Sequence, residues 1–207
     1  MVFGAATGES METLDRLRSC LSRLPGVGKR SAERMAMRLV RQPDGLLADL
    51  ILALQDVRRS VKCCSRCGNV TPVEADPCRL CTAPRRDAGV LCVVEDPSDI
   101  VSLEASGGYQ GRYHALMGKL SPMRGEGPAT LRVQALLQRV EDEKFEEVIL
   151  ALSTDVEGDS TAAFLRELLE QKKVRVSRLA FGLPAGSGIA YSDAVTLSRA
   201  IKGRQQG

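Results

Sequence analysis

The sequence predicts an α/β protein made of a helical N-terminal region, a cysteine-rich module, an α/β domain on a mostly parallel sheet, and a helical C-terminal tail. Three observations predict this order. Apolar residues recur at helical spacing from Glu12 to Lys62. Five of the seven cysteines fall between Cys63 and Cys81. From Gly89 to about Leu179, short β-branched runs alternate with helical segments, the pattern of strands joined by crossover helices.

In the first stretch, Leu14, Leu17, Leu21 and Leu24 give one helix an apolar face, and Pro25-Gly26-Val27-Gly28 breaks it. Ala32, Met35, Ala36, Leu39 and Val40 resume the period until Pro43. A third helix follows, with Leu46, Leu47, Leu50, Ile51, Leu54, Val57 and Val61 expected on its buried side. In the α/β stretch, residues 90–95, 113–117, 148–152 and 174–177 read as strands, and 97–104, 129–143 and 161–171 as the helices between them. The tail from Phe181 is Gly-rich and then helical over 193–201.

Composition narrows the class. With 43% hydrophobic and 27% charged residues in 207, the chain is an ordinary globular protein long enough to bury a core. Aromatics are 3% with no Trp, so recognition by stacking on bases is poorly supplied. No apolar run approaches the roughly 20 residues that cross a bilayer. Met1 to Ser10 lacks the basic start and apolar stretch of a signal peptide, so a cytoplasmic protein is expected. Residues 1–62 hold 11 Lys/Arg against 7 Asp/Glu, and the remainder 18 against 19, which makes the N-terminal third the expected nucleic-acid face.

The first motif is Leu24-Pro25-Gly26-Val27-Gly28-Lys29-Arg30-Ser31-Ala32 between two amphipathic helices. Its glycines let the backbone turn tightly and approach a phosphate with no Cβ in the way. Val27 can tuck into the helix pair. The open N–H groups and the positive end of the second helix then face an anion, with Lys29, Arg30 and Arg34 adding charge-assisted contacts. An ordinary helix–turn–helix connection would share the Pro-Gly turn; Gly-hydrophobic-Gly followed by basic residues favours a helix-hairpin-helix that holds DNA phosphates.

The second motif is Cys64-Ser-Arg-Cys67 and Cys78-Arg-Leu-Cys81, two C-x2-C knuckles separated by ten residues. Two thiolates from each complete a tetrahedral shell around Zn²⁺ with no open position, so one structural ion per chain is expected. Cys63 is a competing ligand at worse spacing, while Cys20 and Cys92 read as buried. The third constellation is acidic: Glu95 ends one strand, and Ser153-Thr-Asp155-Val-Glu157-Gly-Asp159 follows another. Carboxylates gathered at strand carboxyl ends suit Mg²⁺. They equally suit a solvated loop in which Asp155 and Glu157 favour the start of the next helix.

The Leu-Pro-Gly-Val-Gly hairpin, the four-cysteine module and the acidic α/β domain, in this order and at this length, resemble the RecR family. Pro84-Arg85-Arg86, Leu91-Cys-Val-Val-Glu95, Gly111-Arg-Tyr-His-Ala-Leu-Met-Gly118, Lys119-Leu-Ser-Pro122, Val156-Glu-Gly158, Gly182-Leu-Pro184 and Thr196-Leu are also similar to it. The resemblance runs from about Leu14 to Arg204, with the first ten residues extra. It implies a helix-hairpin-helix DNA-binding and oligomerisation region over 1–62, a C4 zinc finger over 63–82, a Toprim domain over 89–184 and a C-terminal segment over 185–207. Glu95 matches the Toprim glutamate. Ser153 and Asp155 stand where a catalytic Toprim domain has two aspartates, so one is missing and no enzyme is expected. The resemblance further implies a dimer or ring tetramer around single-stranded, double-stranded or gapped DNA. It would work with RecO and RecF to load RecA, with Glu95, Asp155, Glu157 and Asp159 as the acidic surface toward RecO. A Walker-B-like segment would fall at Ile189-Ala-Tyr-Ser-Asp193. The rival class is a small Toprim nuclease or primase-like enzyme.

Overall fold

The computed structural model describes residues 5–180, 182–183, 186 and 188–204. Phe181, where the Gly-rich tail starts, Pro184 and Ala185, at the expected domain boundary, and Met1–Gly4 of the N-terminal extension lie outside the described residues. The chain divides into two units, Met1–Val61 and Lys62–Gly207.

The first unit is helical: α1 spans Ala5–Ser22, α2 Lys29–Val40 and α3 Ala48–Ser60, with a kinked turn at Pro43–Leu47 before α3. α1 starts seven residues before the expected Glu12, because the segment ahead carries no apolar period to announce it. α1 and α2 form an antiparallel hairpin with Ala32, Ala36 and Leu39 buried in their seam. Two expectations are corrected here. The apolar side of α3 is not buried: Leu50, Ile51, Leu54 and Val57 are all exposed, and the helix has no buried residue. A hydrophobic stripe specifies that a face needs cover but not that the same chain provides it. Cys20 is exposed rather than buried, on the outer side of α1.

The second unit opens with the short strands β1 (Val61–Cys63) and β2 (Val70–Pro72), which pair, and the single turn α4 (Arg79–Thr82). An α/β layer follows with β3 (Val90–Val94), α5 (Pro97–Ser106), β4 (Arg112–Ala115), α6 (Val133–Glu143), β5 (Glu147–Ala151), α7 (Val156–Glu170) and β6 (Arg175–Arg178). The last helix is α8, Ala194–Lys202. The sheet order is β4-β3-β5-β6, with every pair parallel. β3 is central, and Leu91 to Val94 are all buried, as the continuous apolar run of a doubly covered strand requires. Leu91 and Val93 face α6 and α7 through Leu136, Val140, Leu165 and Leu169. Cys92 and Val94 face Ile100 of α5 on the other side.

The chain runs from β3 to β4 on one side and then crosses to β5 on the other. The switch point therefore lies at the carboxyl ends of β3 and β5, where a crevice opens in sheets of this kind. α7 begins five residues before the expected Thr161, because the Asp155 side chain accepts from the Gly158 N–H at 2.7 Å and caps it. Asp193 caps α8 in the same way, accepting from Val195 and Thr196, so the Walker-B-like aspartate is engaged as a helix cap.

Candidate functional site

Three clusters carry chemistry. In the first, the two knuckles converge: Cys64 and Cys67 sit in the turn after β1, Cys78 precedes α4 and Cys81 lies within it, and all four are buried. Their sulfurs lie within 4.8 Å of one another. Cys67 Sγ is 3.5 Å from Cys78 Sγ, and Cys64 Sγ is 4.0 Å from Cys81 Sγ. A tetrahedral ion with Zn–S bonds of about 2.3 Å sets sulfurs about 3.8 Å apart, so the spacing fits. Backbone N–H groups of Asn69 and Cys78 donate to the sulfurs of Cys67 and Cys64, as a thiolate cage requires. Four thiolates held this close repel one another, and a dication at their centre would relieve that repulsion. Cys63 is exposed and outside the tetrad, and Cys92 is an inert core thiol raised to about 12 by burial.

The module is fixed to the α/β sheet. The Ala115 N–H of β4 donates to the Cys67 carbonyl at 2.7 Å, and Arg132 Nη2 donates to the Ser65 and Arg66 carbonyls at 3.0 and 3.2 Å. Gly68 has φ +82°, and a Cβ there would meet Arg132 Nη1 at 2.2 Å.

The second cluster lies at the switch point. Glu95 Oε1 accepts from the Ser153 N–H at 2.7 Å, which places Ser153 beside the carboxyl end of β3. Gly158 lets α7 start against this turn, since a Cβ would lie 2.3 Å from the Ser153 carbonyl oxygen. The carboxylates do not form a bare acidic face. Lys119 Nζ donates to Asp155 and lies 4.0 Å from Glu95 and 3.7 Å from Glu157. Arg124 reaches Glu157 at 2.7 Å, and Arg178 and Arg199 reach Asp159 at 2.9 and 2.7 Å. Lys119 thus stands where a Mg²⁺ shared by Glu95, Asp155 and Glu157 would have to sit. Its hydrogen bond holds Asp155 at about 2, and the carboxylates raise the lysine in turn.

Nothing in the sequence beside Glu95 or Asp155 marks Lys119 as a site residue, because it follows β4, a third strand. The usable signal is a basic residue just past the carboxyl end of β4 in the same parallel sheet. Replacing it leaves three carboxylates facing each other. Lys119→Ala is expected to melt several degrees lower than the native chain and to regain part of that loss in millimolar Mg²⁺, while the native melting temperature is indifferent to Mg²⁺. Thermal melts with and without the ion check this.

No tyrosine is placed as a nucleophile. Tyr109 donates to the Arg112 carbonyl and Tyr113 to Glu104, both raised by burial, and Tyr191 is solvent-exposed. His114 is fully buried against the Arg132 carbonyl, and burial lowers it to about 3, so it stays neutral.

The third cluster is the hairpin of the first unit. Val27 N–H bonds to the Leu24 carbonyl at 3.0 Å, and Gly26 takes φ +76°, a backbone that favours glycine. Val27 is half-buried, with Leu24 and the glycines exposed. Gly28 occupies the N-cap of α2 with no side chain to bond the first-turn N–H groups, which stay open to an anion. Lys29, Arg30 and Arg34 are exposed, and among the described residues none has an ion pair.

Comparison with known proteins agrees with this arrangement. Residues 14–58 match the family model described as RecR, helix-hairpin-helix. Residues 89–180 match the Toprim domain, and 182–205 match RecR, C-terminal. The recombination protein RecR of Moorella thermoacetica is 48% identical over 195 residues, covering 94% of this chain and 97% of the relative. That of Geotalea uraniireducens is 45% identical over 194 residues (94% and 96%), and that of Bifidobacterium longum subsp. infantis 43% over 193 (93% and 96%). With the hairpin, the cysteine tetrad and the parallel sheet in this order, the chain belongs to the RecR family of recombination proteins.

Proposed function

We propose that the chain is a non-catalytic, DNA-binding recombination mediator of the RecF/RecO/RecR pathway. With RecO, and with RecF, it helps load RecA onto gapped single-stranded DNA in the bacterial cytoplasm. The observation that carries the reading is the uncapped start of α2, where open N–H groups stand beside three cations with no internal partner, in a member of this family. The amides and Lys29, Arg30 and Arg34 hold phosphates, which position the protein without reading sequence. Cys64, Cys67, Cys78 and Cys81 hold one Zn²⁺, which supplies folding energy and no chemistry. Residues 1–62 form the DNA-binding and oligomerisation region, 63–82 the zinc finger, 89–184 the Toprim domain and 185–207 the C-terminal segment.

The exposed apolar face of α3 supports a homo-oligomer, from dimer to ring tetramer, since a contiguous apolar patch on a helix marks an interaction surface. Glu95, Asp155, Glu157 and Asp159 form the surface toward RecO. Asp155 and Asp159 are its accessible members, so a basic partner would trade places with Lys119, Arg178 and Arg199. No Mg²⁺ is part of this reading, because Lys119 already supplies the positive charge. The same lysine argues against the nuclease or primase alternative.

Each phosphate contact on a single strand contributes about 0.7 to the slope of log affinity against log salt, or about fivefold at 0.1 M. Arg30→Ala with Arg34→Ala is therefore expected to weaken oligonucleotide binding by about 25-fold at 0.1 M salt, with zinc content unchanged. Anisotropy titration beside metal analysis reads both. Undiminished binding, or loss of metal in that variant, would overturn the reading.

A further inference from the structure

The outer face of α2 carries a second feature that the hairpin alone does not require. Arg30, Arg34, Arg38 and Arg41 follow one another at spacings of four, four and three. At about 100° per residue they fall within an arc of about 80°, opposite the buried Ala32, Ala36 and Leu39. All four are exposed. Among the described residues, none of their guanidiniums has an ion pair or a hydrogen bond. The acid within α2, Glu33, lies off this arc and faces Arg18 of α1 at 3.5 Å. Like charges at these spacings repel and weaken a helix, and here three successive pairs do so with nothing to relieve them. Such a face is stable company only for a line of negative charge.

We infer that the four arginines form one continuous track for the sugar-phosphate chain of a nucleic acid. The strand then follows α2 over its whole length instead of touching only the hairpin. From Arg30 to Arg41 the track is about 16 Å long, the axial rise of roughly five nucleotides of one strand. The chemistry favours phosphates over an acidic peptide. Guanidinium forks match phosphate oxygens bidentately, and a nucleic acid offers one charge per residue along an extended line. Residues 10–61 contain no aromatic side chain, so this stretch offers the strand charge and no stacking platform. Binding along the track is therefore blind to sequence. The inference rests on the hairpin's being a DNA face and extends it to Arg38 and Arg41.

The test compares Arg38→Ala/Arg41→Ala with Arg30→Ala/Arg34→Ala in the full-length, zinc-loaded protein. A fluorescent single-stranded oligonucleotide is titrated across a salt series. The Arg38/Arg41 variant is expected to lower the salt slope by about 1.4 and affinity at 0.1 M by about 25-fold, with a melting temperature no lower than the native one, since like-charge repulsion along α2 is relieved. Arg38→Lys/Arg41→Lys is expected to restore the slope. If only the Arg30/Arg34 variant weakens, contact stops at the hairpin and the track is overturned. If neither weakens, the DNA reading of the hairpin falls as well. A lower solution mass with an unchanged salt slope would assign Arg38 and Arg41 to a protein contact, which also overturns it.

Discussion

On the proposed zinc reading, Cys67→Ser is expected to lose the metal and to melt about 10 °C lower than the native protein, while Cys63→Ser keeps its metal and its stability. The contrast follows from position. Cys67 is fully buried, 3.5 Å from Cys78, whereas Cys63 is exposed on β1 outside the tetrad. A serine hydroxyl is a poor zinc ligand, and the three remaining thiols cannot close the shell. Binding of structural zinc is worth on the order of 10 kcal/mol in small zinc modules, and it appears as folding energy. Losing about 4 kcal/mol of it in a protein of this size lowers the melting temperature by roughly 8–16 °C. The damage is not confined to the module, because the Cys67 carbonyl accepts from Ala115 of β4. Metal analysis and calorimetry on the two variants decide the matter. A Cys63→Ser protein that also loses its zinc would move the site, and a Cys67→Ser protein with native stability would deny the metal a structural part.

What the sequence reveals here depends on how local the cause is. Two C-x2-C pairs must each bring their sulfurs together, so the tetrad is visible from spacing alone. The hairpin is visible because Gly26 needs its left-handed backbone and Val27 its half-buried seat. The strands of the parallel sheet fall within a residue or two of their β-branched runs. Other features depend on distant partners and are silent in the sequence. Lys119 lies 36 residues before Asp155, and only the sheet order brings them together. Asp155 reads as part of an acidic site, while its first task is to cap α7, which is why that helix begins earlier than its apolar period suggests. The stripe on α3 is plain in the sequence, but periodicity cannot say that the described residues leave it exposed.

Glu143→Gln is expected to destabilise the second unit by about 2–3 kcal/mol, or roughly 4–12 °C in melting temperature. The reason is that one carboxylate serves three cations from three places. Arg139 of α6 reaches it at 2.7 Å, Arg66 of the cysteine module at 3.1 Å, and Arg112 of β4 pairs with it as well. Arg139 is buried beneath Phe145, with one guanidinium nitrogen lacking a partner, so it cannot turn to solvent when the carboxylate is neutralised. Burial opposes ionisation of Glu143, but hydrogen bonds from Arg139 and Arg112 and the charge of Arg66 outweigh it and hold the group below the usual carboxylate range. A depressed folded-state value means that the unfolded chain takes up the proton first. The stabilisation is therefore complete above about pH 4.5, the unfolded value, and drains away as pH falls below it. Melting curves of the native protein should steepen in their decline through that window, and those of Glu143→Gln should decline less, since the titrating group is gone. Zinc content at neutral pH separates this from a metal effect. The variant should retain its ion at pH 7, because Glu143 ties the module to α6 and β4 without touching a sulfur.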